Sequence, residues 1–535
     1  MLQRHLLILS LFSLLLTASL HALPLSTRSR WIINALSGNR VKLSCVNWAG
    51  HLEVMVPEGL DKQPLQDIAA KVASLGFNCV RLTWATHMFT QPNNTKLTVS
   101  ESFESLGLLT ARAGVSENNP SLLNLTLVEA QVAVVDELGK HGVMVVLDNH
   151  VSKPMWCCSD NDGNGFFGDR YFDPAEWLHG LNLVAGQYRG KSQVVAMSLR
   201  NELRGPRQNE LDWHRYMQDG ATTIHSANPD LLVIASGLSY DTTLGFLRNA
   251  SLRLDLADKL VYEIHRYSFT GGGRQNWLVH PVNRICGYLK NRFEDQAGFL
   301  LSSDAPVPLF VSEFGVDQRG VNQADNRFLS CFLTVIAEKD LDWALWALQG
   351  SYYLKSGKVG PEETYGVLDA SWANPRDGAF KRHYGLLLNM TQDPRSNISS
   401  SYTLFHPQTG GCARVGRKFI VHVGDCRHSS RWSFDSPSGR IQLMGTSRCL
   451  RVVGNRMRVV LSTDCSGAST SWTYLSSSML QIGATIKQMG RLCMEWNTTN
   501  SHTILSNKCI CLDGDDGTCL DDPRSQWFKL IPNVT

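Results

Sequence analysis

The chain has 535 residues, of which 43% are hydrophobic and 19% are charged, as in an ordinary globular protein. This length is too great for one hydrophobic core, so two or three domains are expected. The formal net charge of +3 excludes the basic face that nucleic-acid binding requires.

The N-terminus has the features of a secretory signal peptide. Arg4 and His5 precede an apolar run over 6–20, which is too short to span a bilayer comfortably, and small residues follow up to Ala22. We therefore predict a signal peptide over 1–22; an uncleaved anchor is the alternative. There is no other long apolar run, so no membrane association is expected after cleavage.

Between residues 40 and 350, short apolar runs rich in β-branched residues alternate with longer stretches that have helical spacing. Near-continuous apolar strands separated by helices indicate a parallel sheet that is covered on both faces. Eight such units are typical of a closed (β/α)8 TIM barrel, the α/β fold that we place within 23–388. The predicted strands are Lys42–Trp48, Phe77–Trp84, Val143–His150, Val194–Glu202, Leu231–Leu238, Leu260–Tyr267, Pro308–Gly315 and Leu341–Leu348.

Amphipathic helices are predicted between these strands. Pro64–Leu75 carries apolar residues at the spacing of one helical face, and Gly76 is a candidate C-cap. Glu129–Leu138 repeats this plan. Pro174–Tyr188 is a third helix, with Asp173 as its predicted N-cap.

The composition changes after 389–401, a polar stretch that we interpret as a linker. In 402–535, three segments each contain two Cys residues 14 or 16 positions apart, followed by a Trp. Repeats of about 40 residues cannot each bury a core, so a three-fold all-β domain is expected. Cys511 and Cys519 are interpreted as an insertion with its own bridge. The repeat residues are Cys412/Cys426 with Trp432, Cys449/Cys465 with Trp472, and Cys493/Cys509 with Trp527.

Polar and aromatic residues stand at the carboxyl ends of the predicted barrel strands, where the chemistry of such barrels takes place. Glu202 ends the fourth run and Glu313 lies at the end of the seventh. Two carboxylates suit glycoside hydrolysis, because one donates a proton to the leaving oxygen while the other stays ionised and attacks the anomeric carbon. The donor needs a pKa raised toward about 6, and the second negative charge supplies part of that rise. The remaining predicted site residues, assigned to substrate binding, are Arg81, His150, Asn201, His265, Tyr267 and Trp346.

Elementary chemistry suggests roles for some of these residues. Arg81 and Tyr267 keep the nucleophile ionised by charge and hydrogen bonding. Trp346 offers a flat apolar face on which a sugar ring packs. A second Asn-Glu dipeptide, Asn209-Glu210, lies in a polar stretch and is interpreted as solvated surface.

The order Arg, His, Asn-Glu, His-x-Tyr, Glu and Trp over about residues 40–380 resembles glycoside hydrolase family 5, the cellulase-like family of clan A. The RNE context of Glu202 and the SEFG context of Glu313 are characteristic of it. By this resemblance Glu202 is the general acid/base, Glu313 is the nucleophile, and Asn201 binds the 2-hydroxyl of the cleaved sugar. The family retains the anomeric configuration, which requires carboxylates about 5–5.5 Å apart, and needs no metal or other cofactor.

The C-terminal repeats resemble the ricin-B-like β-trefoil that plant-type members of the family join to this barrel. Trefoil units end in Gln-x-Trp, and here only the third keeps a Gln, as Gln526-Trp527 without the intervening residue. Sugar-binding trefoils have an Asp two positions after the first Cys of a unit, where this chain has Arg414, Arg451 and Glu495. Because Arg cannot accept hydrogen bonds from sugar hydroxyls, sugar binding by the first two units is not expected.

Loop 152–172 follows the third run at the catalytic face. Trp156, Phe166 and Phe167 are candidates for lining subsites, and the alternative is a disulfide-pinned loop, which the presence of Cys157 and Cys158 favours.

Two further pairs of residues leave structural interpretations open. Cys45 and Cys79 lie on adjacent predicted strands and are interpreted as buried thiols. His150 and His265 either contact the substrate or are satisfied core residues.

The sequence as a whole predicts a retaining endo-type β-glycosidase of a β-linked glucan, mannan or glycoside. A secreted carbohydrate-binding protein with an inactive barrel and a transglycosylase are the alternatives. We expect a monomer that is secreted to the cell-wall region. Several glycans are expected on the seven N-x-S/T sequons, at Asn93, Asn124, Asn249, Asn389, Asn397, Asn497 and Asn533.

Overall fold

The computed structural model describes residues 24–392, 401–497, 502–512 and 519–533. Eight parallel strands form a closed barrel in chain order, and the last strand pairs with the first. The prediction of a (β/α)8 barrel is confirmed. Its strands are β1 Ser44–Trp48, β2 Cys79–Ala85, β3 Met144–Val151, β4 Val194–Ser198, β5 Leu232–Ala235, β6 Leu260–Arg266, β7 Leu309–Phe314 and β8 Asp342–Leu345.

Six long helices surround the barrel, and the three predicted ones are present. Gly76 ends the first with a φ of 97°, a left-handed conformation that glycine adopts readily. The Asp173 side chain caps the third by accepting from Glu176 N at 2.8 Å. The long helices are α1 Leu65–Leu75, α2 Leu127–Lys140, α3 Pro174–Gln187, α4 Glu210–Ala227, α5 Val282–Gln296 and α6 Gln323–Lys339.

Shorter helical segments fill the connections. The α-helical ones are Thr86–Thr90, Pro92–Thr95, Val99–Ser105, Leu109–Asn118, Asn276–Val279, Phe380–His383 and Gly385–Asn389. Between β5 and β6 the helical segments are only 3-10 turns, at Gly245–Arg248, Ala250–Leu252 and Ala257–Lys259. No helix in the described part of the chain combines the length and apolar character needed to cross a bilayer.

A disulfide joins the first two barrel strands. Cys45 and Cys79 are register partners on β1 and β2, and their sulfurs are bonded. The interpretation of these residues as buried thiols is therefore wrong. Adjacent parallel strands bring such partners close together, with a Cα–Cα distance of 4.3 Å here, and this pairing is visible only once the register is known.

The residues after the barrel form an all-β region of two antiparallel sheets. The four predicted cysteine pairs of this region are bonded, and the three repeat tryptophans are completely buried. The predicted signal peptide 1–22 and residues 393–400 of the predicted linker lie outside the described residues. The strands are Ser401–His406, Gly411–Val415, Val421–Gly424, Trp432–Asp435, Arg440–Leu443, Cys449–Arg451, Met457–Arg458, Val460–Ser462, Thr473–Tyr474, Ile482–Ile486, Gly490–Trp496, Ile504–Lys508 and Lys529–Asn533.

Asn283 of α5 joins the barrel to the all-β region. Its side-chain amide donates to Gln481 Oε1 at 2.7 Å and to the Cys511 carbonyl at 2.8 Å. Its carbonyl oxygen accepts from Ser478 Oγ at 2.8 Å and from Trp527 Nε1 at 3.0 Å. Asn283 is completely buried, so these bonds satisfy its own amide and provide partners for Gln481 Oε1 and Trp527 Nε1 away from water.

Candidate active site

A cavity of about 670 Å³ opens at the carboxyl ends of the barrel strands. Its wall contains seven of the eight predicted site residues, the exception being Arg81. A short hairpin of Leu354–Lys355 and Lys358–Val359 adds Lys355 to the rim. The barrel therefore brings together residues that lie up to about 200 positions apart in the chain, as expected for strands that end on one face.

Glu313 lies near the end of β7 and is held by two donors. Arg81 Nη1 donates to its Oε1 at 2.8 Å, and the Tyr267 hydroxyl donates to its Oε2 at 2.8 Å. Burial raises the pKa of Glu313, while the His265 ring, the Arg81 charge and the Tyr267 hydrogen bond oppose that rise. These partners favour the ionised carboxylate.

Glu202 lies four residues beyond the end of β4, so its side chain is carried by the following loop. It adopts a φ of 42°, a left-handed conformation that is uncommon for residues other than glycine. Its Oε1 lies 2.9 Å from His265 Nδ1. Burial raises the pKa of Glu202 to about 7, so this carboxyl group holds its proton in mildly acidic solution.

The two carboxyl groups face each other across the site. One oxygen of Glu202, one oxygen of Glu313 and one nitrogen of His265 all lie within 4.8 Å of one another. A metal cation could also bind three ligand atoms at this spacing. However, the Arg81 guanidinium already forms an ion pair with the Glu313 carboxylate, and its positive charge disfavours a second cation there. The arrangement therefore suits proton transfer and nucleophilic attack.

Arg81 lies beneath the cavity. It is completely buried and absent from the cavity wall, so it contacts Glu313 and not the space open to a sugar. Its guanidinium also lies 2.9 Å from Asp148 and 3.6 Å from Glu263. The sequence analysis did not select Glu263, although a carboxylate inside an otherwise apolar strand is itself a signal.

His265 connects Glu202 to a buried acid that the sequence analysis also missed. Its Nε2 lies 3.1 Å from Ser312 Oγ and 3.5 Å from Asp241 Oδ2, and its backbone N–H donates to the Asp241 carbonyl. Burial lowers the pKa of His265, which favours the neutral ring. Asp241 lies in the loop after β5, where no pattern in the sequence marked it.

Three more predicted residues line the same wall. His150 Nδ1 lies 2.6 Å from Asp148, and its ring stacks on Trp346 with centroids 5.7 Å apart. Asn201 accepts a hydrogen bond from Arg81 at 3.0 Å, and its amide nitrogen lies 3.4 Å from His150. These contacts hold Asn201 and Trp346 at the cavity surface.

Loop 152–172 contributes only part of what was expected. Trp156 lines the cavity, with its ring centroid 6.4 Å from that of Trp346. Phe166 and Phe167 do not; they are 1% and 5% exposed and pack in the core around Trp177. Their prediction as subsite residues is wrong, because the loop folds back on α3 and buries both rings.

The same loop also holds a disulfide. Cys157 and Cys158 are bonded to each other and line the cavity. The cysteines of the alternative therefore form a disulfide, but it joins adjacent residues and does not tie the loop to another segment. The second Asn-Glu dipeptide lies on the surface, where Asn209 caps α4 by accepting from Asp212 N.

Comparisons with known proteins show the family of the chain. Residues 37–351, more than half of the chain, match the model of Cellulase (glycosyl hydrolase family 5). The chain belongs to glycosyl hydrolase family 5. It is 45% identical to a "Glycosyl hydrolase 5 family protein" of Chamaecyparis obtusa, over 98% of this chain and 96% of that protein.

More distant proteins are similar to this chain in sequence or in fold. An "Endoglucanase" of Paenibacillus polymyxa is 22% identical over 58% of this chain and 76% of its own length. Among solved structures, a hyperthermophilic endocellulase of Pyrococcus horikoshii superposes with a TM-score of 0.55 at 18% identity, covering 68% of this chain and 99% of that chain. The catalytic domain of the major endoglucanase of Xanthomonas campestris gives a TM-score of 0.53 at 21% identity, covering 68% and 98%. The family shows that the chain is a glycoside hydrolase, and the solved structures show that its barrel has the same fold as theirs.

Proposed function

We propose that this family 5 enzyme is a retaining, endo-acting β-glycosidase of a β-linked polysaccharide, with Glu313 as nucleophile and Glu202 as acid/base. The observation that carries the proposal is the pair of carboxyl oxygens within 4.8 Å of each other across one cavity. Inverting enzymes need about 6.5–9.5 Å between the two carboxyl groups to admit a water, whereas double displacement uses about 5–5.5 Å.

The different partners of the two glutamates give them different tasks. Glu313, held ionised by Arg81 and Tyr267, attacks the anomeric carbon and forms a glycosyl ester. Glu202 donates its proton to the departing glycosidic oxygen. In the second step Glu202 removes a proton from water, which attacks the same carbon and releases Glu313.

The cavity wall suggests how a sugar is held. Trp346 offers an apolar ring beside Asn201, which is positioned for the hydroxyl next to the anomeric carbon. Relatives named endoglucanase make a β-glucan the first substrate to test and a mannan the second. Acceptors other than water would give transglycosylation through the same intermediate.

Secretion is part of the proposal. The fourteen cysteines form seven disulfides, which is the usage expected of an oxidising, extracellular compartment. Asn93, Asn124 and Asn249 are exposed sequons that are available to glycans. The all-β region, with its three bridged repeats, is proposed to be a ricin-B-like β-trefoil of a secreted, monomeric protein.

The test is turnover by the full-length secreted protein of a panel of β-glucans, mannans and aryl β-glycosides. The substrate from which reducing ends are released identifies the sugar. The size distribution of the early products distinguishes endo from exo action. Proton NMR of the first product gives its anomeric configuration. Retention is expected. First-formed product of inverted configuration would refute the double displacement.

A variant and a matched control assign the chemistry. Glu313→Gln removes the nucleophile and is expected to lower kcat by about 10⁴-fold or more while the protein stays folded. Glu210→Gln makes the same change at the exposed residue of the second Asn-Glu dipeptide and should leave turnover unchanged. Full activity in Glu313→Gln would refute the assignment of Glu313 as the nucleophile, whereas a wild type that turns over no substrate of the panel would favour an inactive barrel with a binding function.

A further inference from the structure

The disulfide of Cys157 and Cys158 forms part of the cavity wall beside the acid/base. It packs on Ala85 and Val151, and both cysteines face the cavity together with Glu202. Both sulfurs also approach the amide nitrogen of Asn201, at 3.7 and 3.8 Å.

The position of the disulfide relative to the two glutamates is specific. The two sulfurs and one oxygen of Glu202 lie within 4.8 Å of one another. A second group of atoms with the same spacing links Glu202 to Glu313 through His265, and it contains neither cysteine. In a double displacement the acid stands beside the oxygen that departs and the nucleophile stands at the anomeric carbon. The disulfide therefore lies beside the acid, toward the leaving group.

The chemistry of the disulfide suits one kind of contact. A disulfide carries no N–H or O–H donor, and its sulfurs are weak acceptors, so it cannot replace the hydrogen bonds of a sugar hydroxyl. It can contact the C–H face of a pyranose ring, as aromatic platforms do. The half-exposed ring of Phe269, which stacks on Tyr267 with centroids 4.8 Å apart, gives the same cavity a second apolar surface.

We propose that the Cys157–Cys158 disulfide is an apolar platform for the sugar on the leaving-group side of the scissile bond. This inference rests on the proposed function and deepens it, since it names a part of the wall that recognises the departing sugar. The disulfide contributes to substrates whose leaving group is a sugar ring and contributes nothing to a leaving group without a ring.

The test compares two substrates of the full-length protein that share a donor sugar. One is the β-1,4-tetrasaccharide of the sugar that the wild type hydrolyses, cellotetraose or mannotetraose. The other is the corresponding disaccharide β-fluoride, whose leaving group is a single atom. In Cys157→Ala/Cys158→Ala, kcat/KM for the tetrasaccharide should fall about 10-fold relative to kcat/KM for the fluoride, the scale of one lost apolar contact in a binding pocket.

A matched control removes a disulfide far from the cavity. Cys412→Ala/Cys426→Ala breaks a bridge of the all-β region and should leave the ratio of the two kcat/KM values unchanged. The inference is overturned when the Cys157→Ala/Cys158→Ala ratio equals that of the wild type, whether both rates are unchanged or both fall together. A wild-type protein that turns over nothing in the panel of β-glucans, mannans and aryl β-glycosides refutes the proposed function itself, which is a different outcome.

A second measurement covers the case in which the double variant does not fold. The ratio of kcat/KM for the tetrasaccharide to kcat/KM for the fluoride is then measured on the wild type before and after reduction with a phosphine. Alkylation and mass spectrometry of a quenched sample show when the bond between Cys157 and Cys158 is open. The ratio should fall on reduction and recover on reoxidation. A ratio that stays constant while this disulfide opens would overturn the inference.

Discussion

Removal of the Tyr267 hydroxyl tests how the site keeps its nucleophile ionised. In Tyr267→Phe the ring stays in place, but Glu313 Oε2 loses the hydroxyl that donates to it at 2.8 Å. Arg81 still contacts the other oxygen. Because burial already raises the pKa of Glu313, loss of a donor that opposes this rise should raise the pKa further.

The magnitude follows from the strength of the bond. A hydrogen bond to a charged group contributes about 1.5–3 kcal/mol, and one pKa unit corresponds to about 1.36 kcal/mol. The pKa of Glu313 should therefore rise by about 1–2 units in Tyr267→Phe. Only the ionised form attacks, so the acidic limb of the pH–rate profile should move toward neutral pH by the same amount. Well below that limb, kcat/KM should fall about 10- to 100-fold.

The assay is the pH dependence of kcat/KM on one soluble substrate, at constant ionic strength. Tyr365→Phe is the matched control, because its hydroxyl lines the same cavity but bonds to Asp325 at 3.0 Å instead of to a glutamate of the pair. The reasoning is refuted if the acidic limb of Tyr267→Phe stays at its wild-type position, or if the control moves it equally.

Two further predictions concern the acid/base and the contact between the barrel and the all-β region. Burial raises the pKa of Glu202 to about 7, so the wild-type kcat/KM should fall along an alkaline limb as pH rises through about 7. Glu202→Gln should abolish this limb and lower the rate on oligosaccharides by about 10²–10⁴-fold. An alkaline limb that persists in Glu202→Gln would show that another group donates the proton. Asn283→Ala leaves buried groups without partners, Trp527 Nε1 among them, and should lower the free energy of unfolding in urea by about 3 kcal/mol. The control Asn276→Ala, which lies near the surface, should change the free energy of unfolding by less than about 0.5 kcal/mol. Equal free energies of unfolding for the two variants would contradict the assigned role of Asn283.

The sequence predicted the barrel because its signals are local. Near-continuous apolar strands occur eight times, many of them separated by stretches with helical periodicity, and each such pattern is recognisable within a few residues. Glu202 and Glu313 were found in the same way, since Glu313 lies near the end of such a strand, Glu202 lies just beyond one, and strand ends of a barrel meet on one face. The C-terminal bridges also followed from a repeat, because each pair is closed within 8–16 residues.

What only the tertiary structure decided depends on contacts between distant segments. The disulfide between Cys45 and Cys79 could be recognised only once the register of β1 and β2 was known. The burial of Phe167 could be recognised only from the packing of its loop against α3.

One acid beneath the site was hidden for the same reason. Asp241 lies in a loop, and only the closed barrel brings it to His265. The strand pattern fixes which side chains point inward, whereas a loop has no period, so what it contacts is set by the packing around it.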